Sequence, residues 1–205
     1  MHTRYYNEHM SEEKNSSFIG EAIRFALITL VIVLPIRFFI AEPFIVSGSS
    51  MEPTFENGQY LIVDRLSYRL REPERGEVVV FRYPFDQSKH FIKRIIGLPG
   101  ETVILDGKSI IIKNKAHPGG FAVDQSYARE NGRNELTSIL EDNEYFVMGD
   151  NRQFSSDSRL WGPLPKQYLV GRVYVRLLPV RHAALLPGDE SPRKIPATVD
   201  HNEKQ

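Results

Sequence analysis

The sequence predicts a mainly β domain behind one N-terminal transmembrane helix. Three observations lead to this fold class: a single long apolar run near the N-terminus, repeated short runs rich in Val, Ile, Phe and Tyr, and Pro and Gly between those runs. We predict four segments: a short cytoplasmic stretch at 1–17, the membrane helix at 18–37, the β-rich domain at 38–180 and a poorly ordered tail at 181–205.

The apolar run is FIGEAIRFALITLVIVLPI, from Phe18 to Ile36. Its length corresponds to roughly 28 Å of helix, close to the hydrocarbon thickness of a bilayer. Glu21 and Arg24 lie one turn apart and can pair, and Arg37 can reach the headgroups at the other end. A cleaved secretory signal and a buried core helix are the alternatives. We favour the membrane helix because no small-x-small cleavage site follows the run.

The orientation follows from the basic residues that flank this run. Arg4 and Lys14 lie before its start and Arg24 lies just inside it, whereas no Lys or Arg occurs between Arg37 and Arg65. Positive charge is retained on the cytoplasmic side of a membrane. We therefore expect a single-pass protein of the cell (plasma) membrane, with a cytoplasmic N-terminus and the large C-terminal domain outside the cytoplasm.

The β-rich domain contains seven strand-like runs in succession. They are QYLIVDRL, GEVVVFRY, HFIKRIIG, the two halves of ETVILDGKSIIIKNK, NEYFVMGD and GRVYVRLL. Asp106-Gly107 between the two halves is a strong hairpin signal. We interpret the polar residues 114–143 as an irregular, variable excursion in which RNELTSIL can form a short helix. The tail from Arg181 is rich in Pro and charged residues, which is typical of poor order.

The composition excludes several classes of function. Lys plus Arg and Asp plus Glu both number 26, so the net charge is zero and gives no support for a nucleic-acid partner. Cysteine is absent, which excludes disulfides, thiolate catalysis and Cys-ligated zinc. No two of the six histidines are three or four residues apart, so a helical zinc pair is missing as well.

Three segments depart from ordinary strand patterns: SGSSMEPT, FIKRIIGLPGE and GDNRQFSSDSR. In the second, Phe91 and Ile95 share a strand face with Lys93, so that face is largely apolar. Burial lowers the pKa of a lysine, and at a pKa of about 8 roughly one lysine in ten is neutral at pH 7. A neutral lysine can take the proton of a serine. The alternative, an ordinary lysine that snorkels or pairs with an acid, is favoured on the local pattern alone.

Four stretches resemble the sequence boxes of bacterial type I signal peptidases (leader peptidases). These are SGSSMEPTF, GEVVVFRYP, HFIKRIIGLPGE and YFVMGDNRQFSSDSRLWGPLP, and they follow an apolar segment and EPFIV in the family's order over about residues 35–178. The resemblance implies a membrane-anchored, mostly β serine endopeptidase. Such an enzyme uses a Ser-Lys dyad to remove signal peptides from exported preproteins after a small-x-small motif.

The resemblance also implies site residues, position by position. Ser50, directly before Met-x-Pro-Thr, is the expected nucleophile, and Lys93 is the expected general base. Supporting roles fall to Ser155, which orients the lysine, and to the ion pairs Asp150 with Arg94 and Asp157 with Arg159; Phe44, Val46, Met51 and Ile92 line shallow substrate pockets. No cofactor or metal is expected. The expected partners are signal-bearing preproteins, the lipid bilayer and the neighbouring export machinery, with no nucleic acid.

The chain departs from the family pattern in two places. Some members carry a serine two residues before the nucleophile, whose hydroxyl helps to hold the oxyanion, but this chain has Gly48 there, as other members do. The backbone N–H of Ser50 then remains as a donor, and a water or the Ser49 hydroxyl are the candidates for a second one. Gln153 and Phe154 replace residues that are usually more polar, next to Ser155.

Two other functions compete with the peptidase reading. Self-cleaving repressor-type proteins also use Ser-Lys dyads, but they carry a DNA-binding domain and a cleavable Ala-Gly linker and have no membrane anchor. A catalytically silent relative that serves export as a scaffold is disfavoured because both dyad residues are present.

Overall fold

The computed structural model describes residues 18–32, 41–129, 134–188 and 194–195, and the chain folds as two compact units, Met1–Ala41 and Glu42–Gln205. In the first unit, residues 18–32 form helix α1, whose side chains are exposed. Within the described ranges, no helix is both long and apolar enough to span a bilayer. The last part of the predicted membrane segment, residues 33–37, lies outside the described residues.

The second unit is mainly β, as the sequence predicts. Its strands are β1 (Ala41–Ile45), β2 (Tyr60–Asp64), β3 (Val78–Tyr83), β4 (Asp86–Gly97), β5 (Thr102–Gly107), β6 (Ser109–Asn114), β7 (His117–Val123), β8 (Asn134–Ile139), β9 (Glu144–Met148), β10 (Leu164–Pro165), β11 (Leu169–Leu178), β12 (Ala184–Leu185) and β13 (Lys194–Ile195). Two short helices, α2 (Ser67–Leu70) and α3 (Ser158–Trp161), interrupt them. All seven predicted strands are present.

The strands form two sheets. Eight strands make the larger one in the order β1-β2-β11-β3-β4-β9-β10, with β12 also paired to β11, and five make the smaller one in the order β13-β7-β6-β5-β8. The predicted hairpin at Asp106-Gly107 is confirmed, since β5 and β6 pair antiparallel up to Asp106 opposite Ser109. β4 lies between β3 and β9, where its inner residues are hydrogen-bonded on both sides.

Apolar side chains of both sheets form the core. One cluster joins β4 and β9 to the smaller sheet, through residues such as Ile96, Phe146, Val103 and Ile112. A second cluster lies under the segment that follows β1 and includes Met51 and Phe55, each no more than 1% exposed. The loop that carries Ser50 is therefore anchored in the core from its C-terminal side.

The structure corrects the prediction for residues 114–143. RNELTSIL is not a helix: Asn134–Ile139 is strand β8, which pairs with β5 over six residues. An isolated helix of eight residues is marginal in water, whereas pairing supplies β8 with backbone partners along its length. β7 also lies in this stretch and buries Phe121 and Val123, so the segment belongs to the smaller sheet rather than to an irregular excursion.

The structured part of the chain also extends beyond the predicted start of the tail. Val180–His182 form a 3-10 turn, β12 pairs with β11, and the carbonyl of Gly188 accepts a hydrogen bond from Arg94. Residues 181–188 thus belong to the fold. Of the remaining tail, only residues 194–195 are described, as β13 on β7.

Candidate active site

Ser50 stands where the chain leaves β1 and enters a tight turn. The Phe55 N–H donates to the Met51 carbonyl over 2.9 Å, and both side chains are buried, which fixes the turn immediately after Ser50. Before it, Gly48 has a φ of +94° and donates its N–H to Asn57 Oδ1 over 2.9 Å. A positive φ favours glycine, so this backbone suits the residue present at position 48.

Lys93 reaches Ser50 from β4. Its Nζ donates to Ser50 Oγ over 2.7 Å and to the Ile92 carbonyl over 2.8 Å. The lysine is only 4% exposed, and its Nζ lies 5.4 Å from the centre of the Phe91 ring. The structure thus brings together the two residues that the sequence predicts as nucleophile and base, although 43 positions separate them.

Burial controls the protonation of Lys93. Loss of hydration disfavours the ammonium and lowers the pKa of Lys93 to about 8, while the charges of Asp157 and Asp150 act in the opposite direction. In the described part of the chain no carboxylate forms an ion pair with Lys93, so the charged form lacks a direct counter-ion. At pH 7 roughly one molecule in ten carries the neutral amine.

The next residue of β4 points to the other side of the strand and forms a buried ion pair. Arg94 donates to both carboxylate oxygens of Asp150 over 2.8 and 2.6 Å, and both side chains are fully buried. Thr54 Oγ1 donates to the same carboxylate over 2.5 Å, and Arg94 also donates to the Gly76 carbonyl. These hydrogen bonds connect β4, the end of β9 and the turn after Ser50. Removing either charge would leave the other buried without its partner, which is strongly destabilising.

The second predicted ion pair shapes the loop after β9. Arg159 donates to Asp157 over 2.8 and 2.9 Å, and Asp157 also accepts the Gly149 N–H over 3.0 Å. Arg159 also donates a hydrogen bond to the Arg152 carbonyl. These bonds close the loop from Gly149 to Arg159 on itself and hold it beside the Ser50 turn.

Asn151 contacts the Ser50 turn directly, although the sequence did not point to a role for it. Its N–H donates to the Ser50 carbonyl and its Nδ2 to the Ser49 carbonyl, both over 3.0 Å. A methyl group on the neighbouring Gly149 would overlap the Ser50 carbonyl oxygen and Ser155 Oγ. Gly149 therefore permits the close approach, and Asn151 fixes the backbone at Ser50. The only sequence signal for Asn151 was its place inside GDNR.

Ser155 is close to this centre but does not contact Lys93 by a hydrogen bond. Its hydroxyl is buried and has no hydrogen-bond partner among the described residues. Lys93 instead uses its second hydrogen bond on the carbonyl of Ile92. The predicted role of Ser155 in orienting Lys93 therefore stays a prediction.

A cavity of about 220 Å³ opens beside the Ser-Lys pair. Its walls include Phe44, Val46 and Ile92, three of the four residues that the sequence predicts for substrate pockets. Met51, the fourth, is not among the residues that line this cavity: its side chain is 1% exposed and packs in the core under the turn. The remaining lining residues were not predicted from the sequence; they are Ile45, Ser47, Leu61, Val80, His90, Phe91 and Ser156.

The mouth of this cavity is partly aromatic. The rings of Phe44 and His90 lie 5.3 Å apart, and His90 itself is exposed. Within the described part of the chain, no group of three His, Asp or Glu side chains is arranged to bind a metal ion. The chemistry that this geometry supports is transfer of a proton between a serine hydroxyl and a buried amine, next to an apolar recess.

Comparisons with known proteins agree with this arrangement. The family model described as "Signal peptidase, peptidase S26" matches residues 19–178, so the chain belongs to that peptidase family. A probable signal peptidase I-2 of Synechocystis sp. is 40% identical over 78% of this chain and 73% of its own length. A probable signal peptidase I-1 of the same organism is 37% identical over 79% of this chain and 84% of its own.

Among solved structures, a signal peptidase I from Enterococcus faecalis V583 is 27% identical. The match covers 50% of this chain and 97% of the Enterococcus faecalis chain, with a TM-score of 0.42.

Proposed function

We propose that this chain is a serine endopeptidase that cleaves N-terminal signal peptides from exported preproteins after a small-x-small motif, with Ser50 as nucleophile and Lys93 as general base. The observation that carries the proposal is the 2.7 Å contact between Lys93 Nζ and Ser50 Oγ, made by a lysine whose pKa is lowered to about 8. Membership of the signal peptidase family supports the same conclusion.

The acylation step follows from this contact. Neutral Lys93 takes the proton of the Ser50 hydroxyl while Oγ attacks the carbonyl carbon of the scissile bond. The oxygen of the resulting tetrahedral species carries negative charge, and the Ser50 N–H is available to it, since no described residue accepts a hydrogen bond from that group. Lys93 then gives its proton to the departing amine, which leaves an acyl-enzyme on Ser50.

Deacylation repeats the same proton transfers with water. Lys93, neutral again, takes a proton from a water molecule that attacks the ester, and returns it to Ser50 Oγ as the signal peptide departs. The buried pair of Arg94 with Asp150 and the hydrogen bonds of Asn151 act by holding β4 and the Ser50 turn in place. One lysine thus serves as base and acid in both half-reactions.

The edge of the larger sheet offers a place for the substrate. β1 is the terminal strand in the sheet order, and Phe44 and Val46 on and beside it line the cavity. We propose that the precursor adds as an extended strand along residues 43–47, so that backbone hydrogen bonds supply affinity and the cavity selects small side chains.

We propose further that residues 18–37 anchor the enzyme in the plasma membrane as a single pass, with the N-terminus in the cytoplasm and the catalytic domain outside it. The apolar run and the distribution of basic residues around it support this topology. Such an anchor would hold the site near precursors as they leave the export machinery.

A cleavage assay with matched serine variants tests the proposed chemistry. Purified protein should cut a signal-bearing precursor, and Ser50→Ala should reduce cleavage to background because the attacking oxygen is gone. Ser49→Ala is the control: it contributes only its backbone carbonyl to the contact with Asn151, which alanine retains, so most activity should remain. An active Ser50→Ala enzyme beside an inactive Ser49→Ala enzyme would reject Ser50 as the nucleophile.

A further inference from the structure

A second cavity, of about 290 Å³, lies in the larger sheet away from the Ser-Lys pair. It forms where the end of β2, α2, β3 and the segment before β11 meet, and it shares no lining residue with the active-site cavity. Four cationic side chains line it: Arg65, Arg69, Arg82 and Lys166. We call these four residues and the recess between them the basic cleft.

Only half of this positive charge is neutralised locally. Arg65 pairs with Glu42 over 3.1 Å, and Lys166 pairs with Glu72 over 2.5 Å. In the part of the chain that the structure describes, no acidic side chain pairs with Arg69 or Arg82. The basic cleft therefore carries two guanidinium groups in excess, in a protein whose overall formal charge is zero.

The basic cleft is a lined recess rather than an open surface, which suits a small anion. Pro73 is buried, and the half-buried rings of Tyr68 and Tyr168 contribute to the walls. Arg69 and Arg82 are exposed, so they can turn toward a ligand in the recess. A guanidinium donates two parallel hydrogen bonds to a phosphate, which makes arginine the preferred residue for recognising that group.

We propose that the basic cleft binds the phosphate group of an anionic phospholipid headgroup. Two features favour a lipid over free phosphate. Leu70, directly after Arg69, is 78% exposed, which places an apolar side chain beside the cationic rim. Glu42, the partner of Arg65, follows the end of the proposed membrane segment by five residues, a chain length of at most about 17 Å. The choice of a lipid headgroup, and not free phosphate, as the ligand rests on the membrane anchor proposed above.

Calorimetry on the full chain in uncharged detergent micelles tests the proposal. The probes are dihexanoyl phosphatidylglycerol, dihexanoyl phosphatidylcholine and inorganic phosphate, each titrated at two salt concentrations. We expect saturable binding of the phosphatidylglycerol that weakens with salt. Arg69→Gln combined with Arg82→Gln should weaken it at least about tenfold, because each arginine supplies a charge-assisted contact. Lys113→Gln combined with Lys115→Gln, which removes two charges around β6 in the smaller sheet, should bind like the unchanged chain.

Each other result argues against the proposal. Equal affinity of the arginine variant and the unchanged chain would show that the basic cleft is not the binding site. Inorganic phosphate binding as tightly as phosphatidylglycerol would replace the lipid by a free anion, and equal binding of phosphatidylcholine would remove the role of charge. Peptide cleavage by the same samples is measured in parallel. Intact cleavage with lost lipid binding separates this inference from the proposed function, since the arginines lie outside the active-site cavity.

Discussion

At the scale of single residues, the protonation of Lys93 decides whether the proposed reaction can occur. A free lysine is neutral in only about one molecule in 2,500 at pH 7. Burial lowers the pKa of Lys93 to about 8 and raises this fraction more than a hundredfold, to roughly one in ten. The same burial costs the folded protein about 3 kcal/mol whenever the lysine is protonated, a cost present below pH 8 and lost as pH rises toward 10.5.

The pKa of Lys93 determines the direction in which activity should change with pH. Because the neutral amine is the active form, kcat/KM should rise about tenfold per pH unit below pH 8 and level off above it. A pH–rate profile with a short peptide substrate measures this. Lys93→Arg should be inactive throughout, since arginine keeps its proton at every usable pH. An apparent pKa near 10.5, or activity in Lys93→Arg, would contradict the assignment of Lys93 as base.

Asn151 is the second residue for which the structure makes a prediction. Asn151→Ala removes the side-chain hydrogen bond to the Ser49 carbonyl but keeps the backbone bond to the Ser50 carbonyl. One such bond contributes about 1 kcal/mol, so kcat should fall about fivefold while KM changes little. Asn151→Asp should lower kcat at least as much, because a carboxylate cannot donate to a carbonyl and its negative charge repels the carbonyl oxygen.

The control for Asn151 is Asn143→Ala, on an exposed loop, with kinetics and thermal unfolding measured for all variants. A lower Tm of Asn151→Ala with unchanged kcat would show that Asn151 supports only the fold and does not position Ser50.

At the scale of elements, the single strand β4 supplies both the proposed base and a buried ion pair that holds the strand in place. Successive side chains of a strand point to opposite faces, so Lys93 faces Ser50 while Arg94 enters the interior and pairs with Asp150. Pairing of β4 with β3 and β9 fixes the register of both side chains at once. A slip of one residue would exchange the two faces, which makes the active site dependent on correct strand pairing.

The regular strands were predictable because alternation and β-branched residues mark them locally, as in β3 and in the β5–β6 hairpin. β8 was mistaken for a helix because its strand character depends on pairing with β5, a partner about 30 residues earlier. The burial of Met51 was not predictable for a related reason: it lies in a turn, where alternation does not indicate which side chains enter the core. Local sequence does not indicate the contacts of Asn151, nor that the Ser155 hydroxyl has no hydrogen-bond partner in the described part of the chain.

The cavity beside β1 leads to a prediction about substrates. Placing leucine for alanine immediately before the cut should lower kcat/KM by about 100-fold or more, because a branched side chain clashes with the walls formed by Phe44, Val46 and Ile92. The same leucine one residue earlier, at the middle position of small-x-small, is the matched control and should be cut normally. Equal rates for the two precursors would reject selection by this cavity.

At the scale of the whole molecule, the proposed catalytic residues belong to the β domain, and membrane attachment is proposed for the apolar N-terminal segment. All the residues assigned to catalysis lie between Phe44 and Arg159, inside one compact unit, and none lies in the segment proposed as anchor. The chemistry should therefore survive separation from the membrane, while access to membrane-held precursors should not. This division follows from the two-unit organisation and the apolar pattern of residues 18–36.

Deletion of residues 1–36 tests that division. The shortened chain retains β1 and the cavity, so it should cut short peptides in detergent with kcat within about threefold of the full chain. Cleavage of a precursor held in vesicles should fall by about tenfold or more, because the anchor no longer concentrates enzyme and substrate on one surface. Flotation of the vesicles shows where each protein resides. If the shortened chain remains fully bound to vesicles of uncharged phosphatidylcholine, the anchor has been misplaced. Three aromatic residues that follow the deletion in the sequence, Phe38, Phe39 and Phe44, would then be the part that holds the lipid.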